Sequence, residues 1–403
     1  MTRISVPNFS RQPDSFRVIL SLGGQPTLSQ LYNLSGLRYL SRLISMNISA
    51  TKLLRHVDRL ARWAITDEVV PINVQICPYD SACNHACPLC VAGTKGFTGS
   101  IMSPTAYEGL VRDLALMGVR SITLTGGSEP LLHPDFDDLL SVDIGPMQQA
   151  IITNGSFIND RRARALVTKT EWVRVSLDAA TSSHFRKMHG CGPTAFELVL
   201  QNLALVVDAK RKLISEAYAG PLATVGAGFL TYPCESSLEE IVPFAQLCRD
   251  LGLDYVQYRP VLKTPQGPEL PWSDLKSHEA VYEAIQRASQ LESSSFKVSF
   301  NADKYERTTR HDFSGYTQCH FVHFAPVVSA SGNVSLCCHH MEDDAFVIGN
   351  INDQSFSEIW FSEAKRAKTK HLDLGSCPLL CRGTGANELL QAVRIRTVHE
   401  NFI

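Results

Sequence analysis

Eight residues, Cys83-Asn84-His85-Ala86-Cys87-Pro88-Leu89-Cys90, set three cysteines at C-x3-C-x2-C spacing shortly after an apolar run, Ile72 to Ile76. Three thiolates this close together can face one point, and soft sulfur donors select iron–sulfur clusters or zinc over metals that prefer oxygen. A cubane cluster takes four ligands, so a loop that offers three leaves one iron open to another molecule. A structural zinc site is the alternative, and it would need Cys77 or His85 as its fourth ligand. Whatever fold the chain adopts has to hold this loop where other segments can converge on it.

The remaining cysteines sharpen that constraint. Of the twelve, Cys319, Cys337, Cys338, Cys377 and Cys381 form a late group, and Cys191, Cys234 and Cys248 fall between the groups. The first ten residues are polar and lack a charged-then-apolar signal pattern, and no apolar run approaches the roughly 18 residues of a membrane helix. A cytoplasmic protein with no membrane partner is therefore expected. In that reducing compartment grouped cysteines point to metal rather than to disulfides. A net charge of −2 gives no footprint for nucleic acid. The basic runs Lys210–Lys212 and Lys365–Lys370 read as solvated helix faces.

From Pro71 the pattern is regular. Strand-like runs occur at Ile72–Ile76, Ser121–Thr125, Ala150–Thr153, Trp172–Leu177, Ala223–Leu230 and Tyr255–Leu262, with helix-length segments between most of them. This alternation predicts a parallel sheet, and six strand–helix units suit a partial (β/α)6, TIM-like barrel. The first helix announces its limits, with Ser103 as N-cap, Pro104 at the first position and Gly118 as the stop. A second opens at the capping box Ser236-Ser237-Leu238-Glu239 and runs to Gly252, with a kink at Pro243. Active sites of parallel α/β folds gather at the C-terminal ends of the strands. There the chain carries the cysteine loop, Gly126-Gly127-Ser128-Glu129-Pro130, Asn154-Gly155, Ser176-Leu177-Asp178, Tyr232-Pro233-Cys234-Glu235 and Gln257-Tyr258-Arg259-Pro260.

The cysteine loop, placed after the first strand of such a series, resembles that of the radical S-adenosylmethionine (SAM) enzymes. The resemblance covers roughly residues 71 to 385. It implies a [4Fe–4S] cluster on Cys83, Cys87 and Cys90 whose open iron chelates SAM, with Leu89 against the adenine. Gly126, Gly127 and Glu129 resemble the GGE motif that binds the SAM amino group, although Ser128 departs from its commonest form. A carboxylate there accepts from an ammonium and balances its charge. Asn154, Ser176 and Asp178 resemble neighbouring ribose and carboxylate contacts, and Arg186 is a candidate partner of the SAM carboxylate. Each of these is also a residue type that serves as an ordinary turn or cap.

The late segment, Cys319-x12-Gly332-x4-Cys337 followed by Cys377-x3-Cys381, resembles the opening of the SPASM extension and fits its shorter "twitch" form. That implies a second, auxiliary [4Fe–4S] cluster on Cys319, Cys337, Cys377 and Cys381, with Cys338 as an alternative to Cys337. A zinc knuckle on the same four is the other reading. The expected division is a helical N-terminal region at 1–70, the barrel at 71–265, a linker at 266–315 and the cluster domain at 316–403. Within the first region lie a strand-like run, Phe16–Leu22, and helices at Leu28–Met46 and Thr51–Ile65, the latter with Leu53, Leu54, Val57, Leu60 and Trp63 as its apolar stripe.

By resemblance the activity is an oxidoreductase reaction. A 5′-deoxyadenosyl radical abstracts hydrogen from a C–H bond of a small-molecule or peptide substrate, and an electron donor such as flavodoxin or ferredoxin supplies the cluster. An epimerase with Cys234 as hydrogen donor, a peptide-modifying maturase and a structural metal-binding protein are the competing readings.

Overall fold

The structure is a computed structural model that describes residues 50–90, 96–231, 235–261, 275–310, 315–378 and 381–395. All six expected strands form: β1 Asn73–Ile76, β2 Ser121–Leu124, β3 Gln148–Thr153, β4 Trp172–Ser176, β5 Thr224–Thr231 and β6 Tyr255–Pro260. They pair in parallel, each with the next, so the register is a consecutive one. Alternation sets the two faces of each strand. In β4, Val173 and Val175 are fully buried in the core beneath the helices, which puts Trp172, Arg174 and Ser176 on the opposite, lumen face. Helices occupy the crossovers: α1 Pro104–Met117, α2 Asp160–Lys169, α3 Ser182–His189, α4 Ala195–Ser215 and α5 Glu235–Leu251. The limits of α1 are those its sequence announces. Ser103 Oγ accepts from the Ala106 amide at 3.2 Å, Pro104 opens the helix, and Gly118 closes it with φ of 84°. Pro243 lies inside α5. The architecture is an α/β partial barrel.

The sheet extends beyond those six strands at both edges. Part of the segment expected as a linker supplies β7, Lys297–Ser299, parallel to β6, after a helix at Leu275–Ser289. Three residues with one buried valine are too short a run to show a strand period. On the other edge, β8 (Val327–Val328) pairs in parallel with β1, and β9 (Asn333–Ser335) and β10 (Val347–Asn350) continue antiparallel. The resulting order is β10-β9-β8-β1-β2-β3-β4-β5-β6-β7. The C-terminal cysteine segment is thus hydrogen-bonded to the strand that delivers the first cysteine loop.

The expectations for residues 1–49, including Phe16–Leu22 and Leu28–Met46, lie outside the described residues. The following helix differs from its sequence reading. Ala50–His56 is a 3-10 turn, and only Val57–Thr66 is α-helical. Three residues per turn shift the phase of the stripe. Leu53, Leu60 and Trp63 are buried as expected, whereas Leu54 and Val57 are 50% and 64% exposed. The buried side chains form a small core with Val69, Phe324, Ala386 and Leu390, so this helix packs on the C-terminal segment. Two basic residues also depart from the solvated faces expected for them. Lys210 is buried against Asp254, and Lys365 is buried with its ammonium 3.1 Å from His323 Nδ1 and 4.7 Å from the Trp360 ring centroid. A charge run does not show which of its members will find a partner in the tertiary fold.

Trp63 is fully buried, meets Phe324 edge-on at 5.6 Å and carries the Arg394 guanidinium 3.9 Å above its ring. Replacing it with alanine should cost about 3–5 kcal/mol in chemical denaturation, the range for truncating a large buried aromatic.

Candidate cluster sites at the barrel mouth

The cysteine loop is fastened on two sides. At the end of β3, Asn154 Nδ2 donates to Asn84 Oδ1 at 2.7 Å, and Ser156 Oγ lies 3.3 Å from His85 Nε2. At the end of α3, the Ala86 amide donates to His189 O at 2.9 Å, and Cys87 Sγ lies 3.5 Å from His189 Nδ1. Gly190, in the left-handed region at φ 55°, closes α3 against the loop. A Cβ there would come within 2.3 Å of Ala86 O. The sequence reading gave His189 no role, because a histidine near a helix end has no signature of its own.

The three thiols of the loop act on one another. Burial raises the Cys87 thiol well above its ordinary range, and the nearby Cys90, Asp178 and Cys83 add to the shift. Cys83 is raised by burial and then by Glu129 and Cys90, against a backbone hydrogen bond from His85 and a side-chain one from Asn154. Close, half-buried thiols whose ionised forms repel are suited to a cation, and this set fits an iron–sulfur cluster with one iron left open. The ligand atoms of His85, Cys87 and His189 also lie within 4.8 Å of one another, a grouping that suits zinc. Burial holds both imidazoles neutral, at pKa values of about 4. Cys77, weighed as a zinc ligand, is buried in the barrel and accepts the Gly127 amide.

Around this loop the strand ends converge as expected. Gly126 leaves no room for a side chain, since a Cβ would lie 1.7 Å from Ser128 O. Ser128 Oγ donates to Tyr79 O at 2.7 Å, which turns the hydroxyl of the unexpected residue away into the wall. Glu129 is buried and accepts three bonds: Thr153 Oγ1 at 2.6 Å, the Asn154 amide at 2.6 Å and the Leu131 amide at 3.0 Å. Burial outweighs those donors and lifts its pKa to about 7. Asp178, in the left-handed region at φ 52°, accepts the Leu230 amide and lies 3.5 Å from His189 Nε2. Burial raises its pKa to about 6. Ser176 and Leu89 are half-buried. Arg186 is exposed on α3 and bears on Cys191. The structure does not bring it to the other candidates. Cys234 lies outside the described residues.

The late cysteines assemble as a second group. Cys319, Cys337, Cys377 and Cys381 line one cavity together with Tyr316, His339 and Arg382. Cys338 does not line it, although it is hydrogen-bonded to Cys337. Burial raises Cys319 to about 11 and Cys377 to about 12. Asn387 Nδ2 donates to Cys319 Sγ at 3.4 Å, and the Gly383 amide to Cys381 Sγ at 3.3 Å. Amides aimed at sulfur fit thiolates bound to a cluster, whose charge they spread. Asn387, expected only as the start of a C-terminal helix and given no site role, is fully buried and also takes the Phe321 amide on its carbonyl.

Residues 78–222 match the family model of the radical SAM superfamily, and residues 319–383 match that of an iron–sulfur cluster-binding domain, SPASM. A probable GTP 3′,8-cyclase of Methanosarcina mazei is 31% identical over 133 residues, which cover 32% of this chain and 39% of that protein. The mycofactocin maturase MftC of Mycobacterium ulcerans is 31% identical over 137 residues, 33% of this chain and 36% of that one. The chain therefore spans well under half the length of these curated relatives. Among solved structures, Streptococcus suis SuiB superposes with a TM-score of 0.57 at 14% identity, covering 87% of this chain and 75% of that one. At that identity the likeness is one of fold.

Two measurements address this geometry. A Gly190→Ala variant must place a side chain at positive φ against Ala86 O, so it should lose about 1–2 kcal/mol of stability and hold less iron on the first loop by elemental analysis. The second is pH dependence in the metal-free protein. With Glu129 raised to about 7, the stability tied to its neutral form is fully present below its unfolded value and is lost as pH rises through 7. The loss amounts to about 3 kcal/mol at most. Thermal unfolding from pH 4 to 8 should show it, and Glu129→Gln should remove that part of the slope.

Proposed function

This chain belongs to the radical SAM superfamily and carries a C-terminal SPASM iron–sulfur domain, and on that premise we propose that it oxidises a biosynthetic intermediate at a C–H bond. The family's [4Fe–4S] cluster and SAM supply the hard step, reductive cleavage of SAM to a radical that abstracts hydrogen. In this reading residues 71–265 form the catalytic barrel and 316–403 the auxiliary cluster unit. Cys83, Cys87 and Cys90 hold the first cluster, and the Asn84, His85 and Ala86 contacts keep the loop in place. Glu129 takes the SAM ammonium, which favours its charged form, while Asn154, Ser176 and Leu89 border the same space. Asp178 acts through Leu230 and His189, as a residue that shapes the site.

The observation that carries the oxidative reading is the pairing of a three-thiol loop with a separate four-thiol cavity. Four ligands leave no open iron, so the second cluster is suited to take up the electron left on the substrate radical. A small-molecule substrate is our first reading. A peptide substrate is the second, supported by the structure of SuiB bound to its precursor peptide, which has this fold. We place the protein in the cytoplasm with flavodoxin or ferredoxin as electron donor and no nucleic-acid or membrane partner. Among the described residues no helix is long and apolar enough to cross a membrane.

Anaerobic reconstitution should load about eight irons per chain and, with reductant, release 5′-deoxyadenosine from SAM. Fewer than about seven irons, or no nucleoside, overturns the two-cluster enzyme. Cys83→Ala should abolish SAM cleavage, whereas Cys377→Ala should lower the iron by about four and uncouple SAM cleavage from substrate oxidation. If Cys234→Ala abolishes turnover while both clusters stay loaded, the reaction is an epimerisation quenched by that thiol.

A further inference from the structure

The lumen face carries two arginines that the cluster chemistry leaves without a task. Arg174 in β4 and Arg259 in β6 flank β5, and the residues that alternate with them, Val173, Val175 and Tyr258, pack under the helices. On the lumen side the strand between them is bare at Gly228, while the Tyr255 ring lies against Gly226 and Leu230 pairs with Arg259. Gly226 stands opposite Arg174, and Gly228, two residues on, stands opposite Ser176. A Cβ at Gly228 would lie 3.6 Å from Arg174 Cδ and 3.6 Å from Arg259 Nη2, so the two side chains cross the same spot. Arg174 Nη1 donates to Gln257 Oε1. Its Nε and the Nε of Arg259 are buried and have no hydrogen-bond partner.

Two guanidiniums meeting at one buried spot repel. Burial and the neighbouring Arg259 lower the pKa of Arg174 to about 9, and burial lowers that of Arg259. Lys304, from the helix at Ala302–Arg310, adds a third cation within electrostatic reach of Arg259, and Arg382 adds a fourth. The carboxylate on this side, Asp178, offsets part of this through space for both arginines, while its hydrogen bond is to the Leu230 amide and His189 Nε2 lies 3.5 Å away. Buried guanidinium donors without acceptors are costly, and planar forks of this kind match the two oxygens of a carboxylate or phosphate.

We propose that Arg174 and Arg259 form a subsite for an oxyanion of the substrate, a carboxylate or a phosphate, so that the molecule attacked in this barrel is anionic and is anchored on the β4–β6 wall. The proposal rests on the radical SAM reading above. It makes the two arginines specificity residues, since a neutral analogue would leave their buried Nε donors unpaired.

The test uses the full-length, cluster-loaded protein with saturating SAM, titrated calorimetrically with pyrophosphate and, separately, with succinate. One saturable site is expected for one of the two anions, and which anion binds identifies phosphate or carboxylate as the source. Arg174→Gln and Arg259→Gln should each weaken that binding at least about tenfold, and Arg174→Lys should recover part of it. Three results overturn the proposal: neither anion binds wild type, the Arg174→Gln/Arg259→Gln double variant binds as well as wild type, or the variants weaken SAM binding in place of anion binding. Iron content and 5′-deoxyadenosine release by wild type are read on the same preparations. Their failure would strike the enzyme assignment, while the anion titration still reports on the arginines.

Discussion

The whole site depends on three thiols held close together on one short loop, where the thiolate forms that bind metal would repel one another. Free, such a loop would spread; here it is tied to the end of β3 through Asn84 and His85 and to the end of α3 through Ala86 and Cys87. The two ties come from consecutive strand–helix units, so the loop has its shape only when the barrel around it is folded. A metal that relieves the repulsion therefore also stabilises the barrel, because ligand binding to the native state alone shifts the folding equilibrium.

Glu129 and Asp178 show the same economy. Each carboxylate sits at a strand end, is buried, and accepts backbone amides from the next unit. A carboxylate that organises two neighbouring turns is fixed in place by the fold alone, which lowers the ordering cost of binding at these strand ends. The second thiol group follows the same rule with different donors. Asn387 and Gly383 aim N–H groups at sulfur from a helix start that the adjacent core of Leu53, Leu60 and Trp63 holds in position.

Much of this was legible in the sequence. The apolar strand-like runs separated by helix-length segments, the Ser103-Pro104 start and Gly118 stop, and the polar strand ends were local signals, and they located the barrel and its mouth. The grouping of Cys319, Cys337, Cys377 and Cys381 followed from spacing and resemblance. What escaped was decided across long separations. Arg259 was singled out only as part of a polar strand end and Arg174 not at all; they lie far apart in the chain and meet over Gly228, which carries no side chain between them. Lys210 and Lys365 look like surface charge until Asp254 and His323 are placed beside them. His189 gains its contacts to Cys87 and Asp178 from the packing of α3, and Leu54 and Val57 left the apolar stripe because a 3-10 turn changed its pitch.

The pairing of β8 with β1 fixes how the two thiol groups sit relative to one another. The amides of Gln75 and Cys77 donate to Pro326 and Val328 at 3.0 and 2.8 Å, so the strand leading to the first thiol loop and the strand leading to the second thiol group are rungs of one ladder. The separation between the two thiol groups is thereby set by backbone geometry on the β1 edge of the sheet, whereas Arg174 and Arg259 project from β4 and β6 further along it.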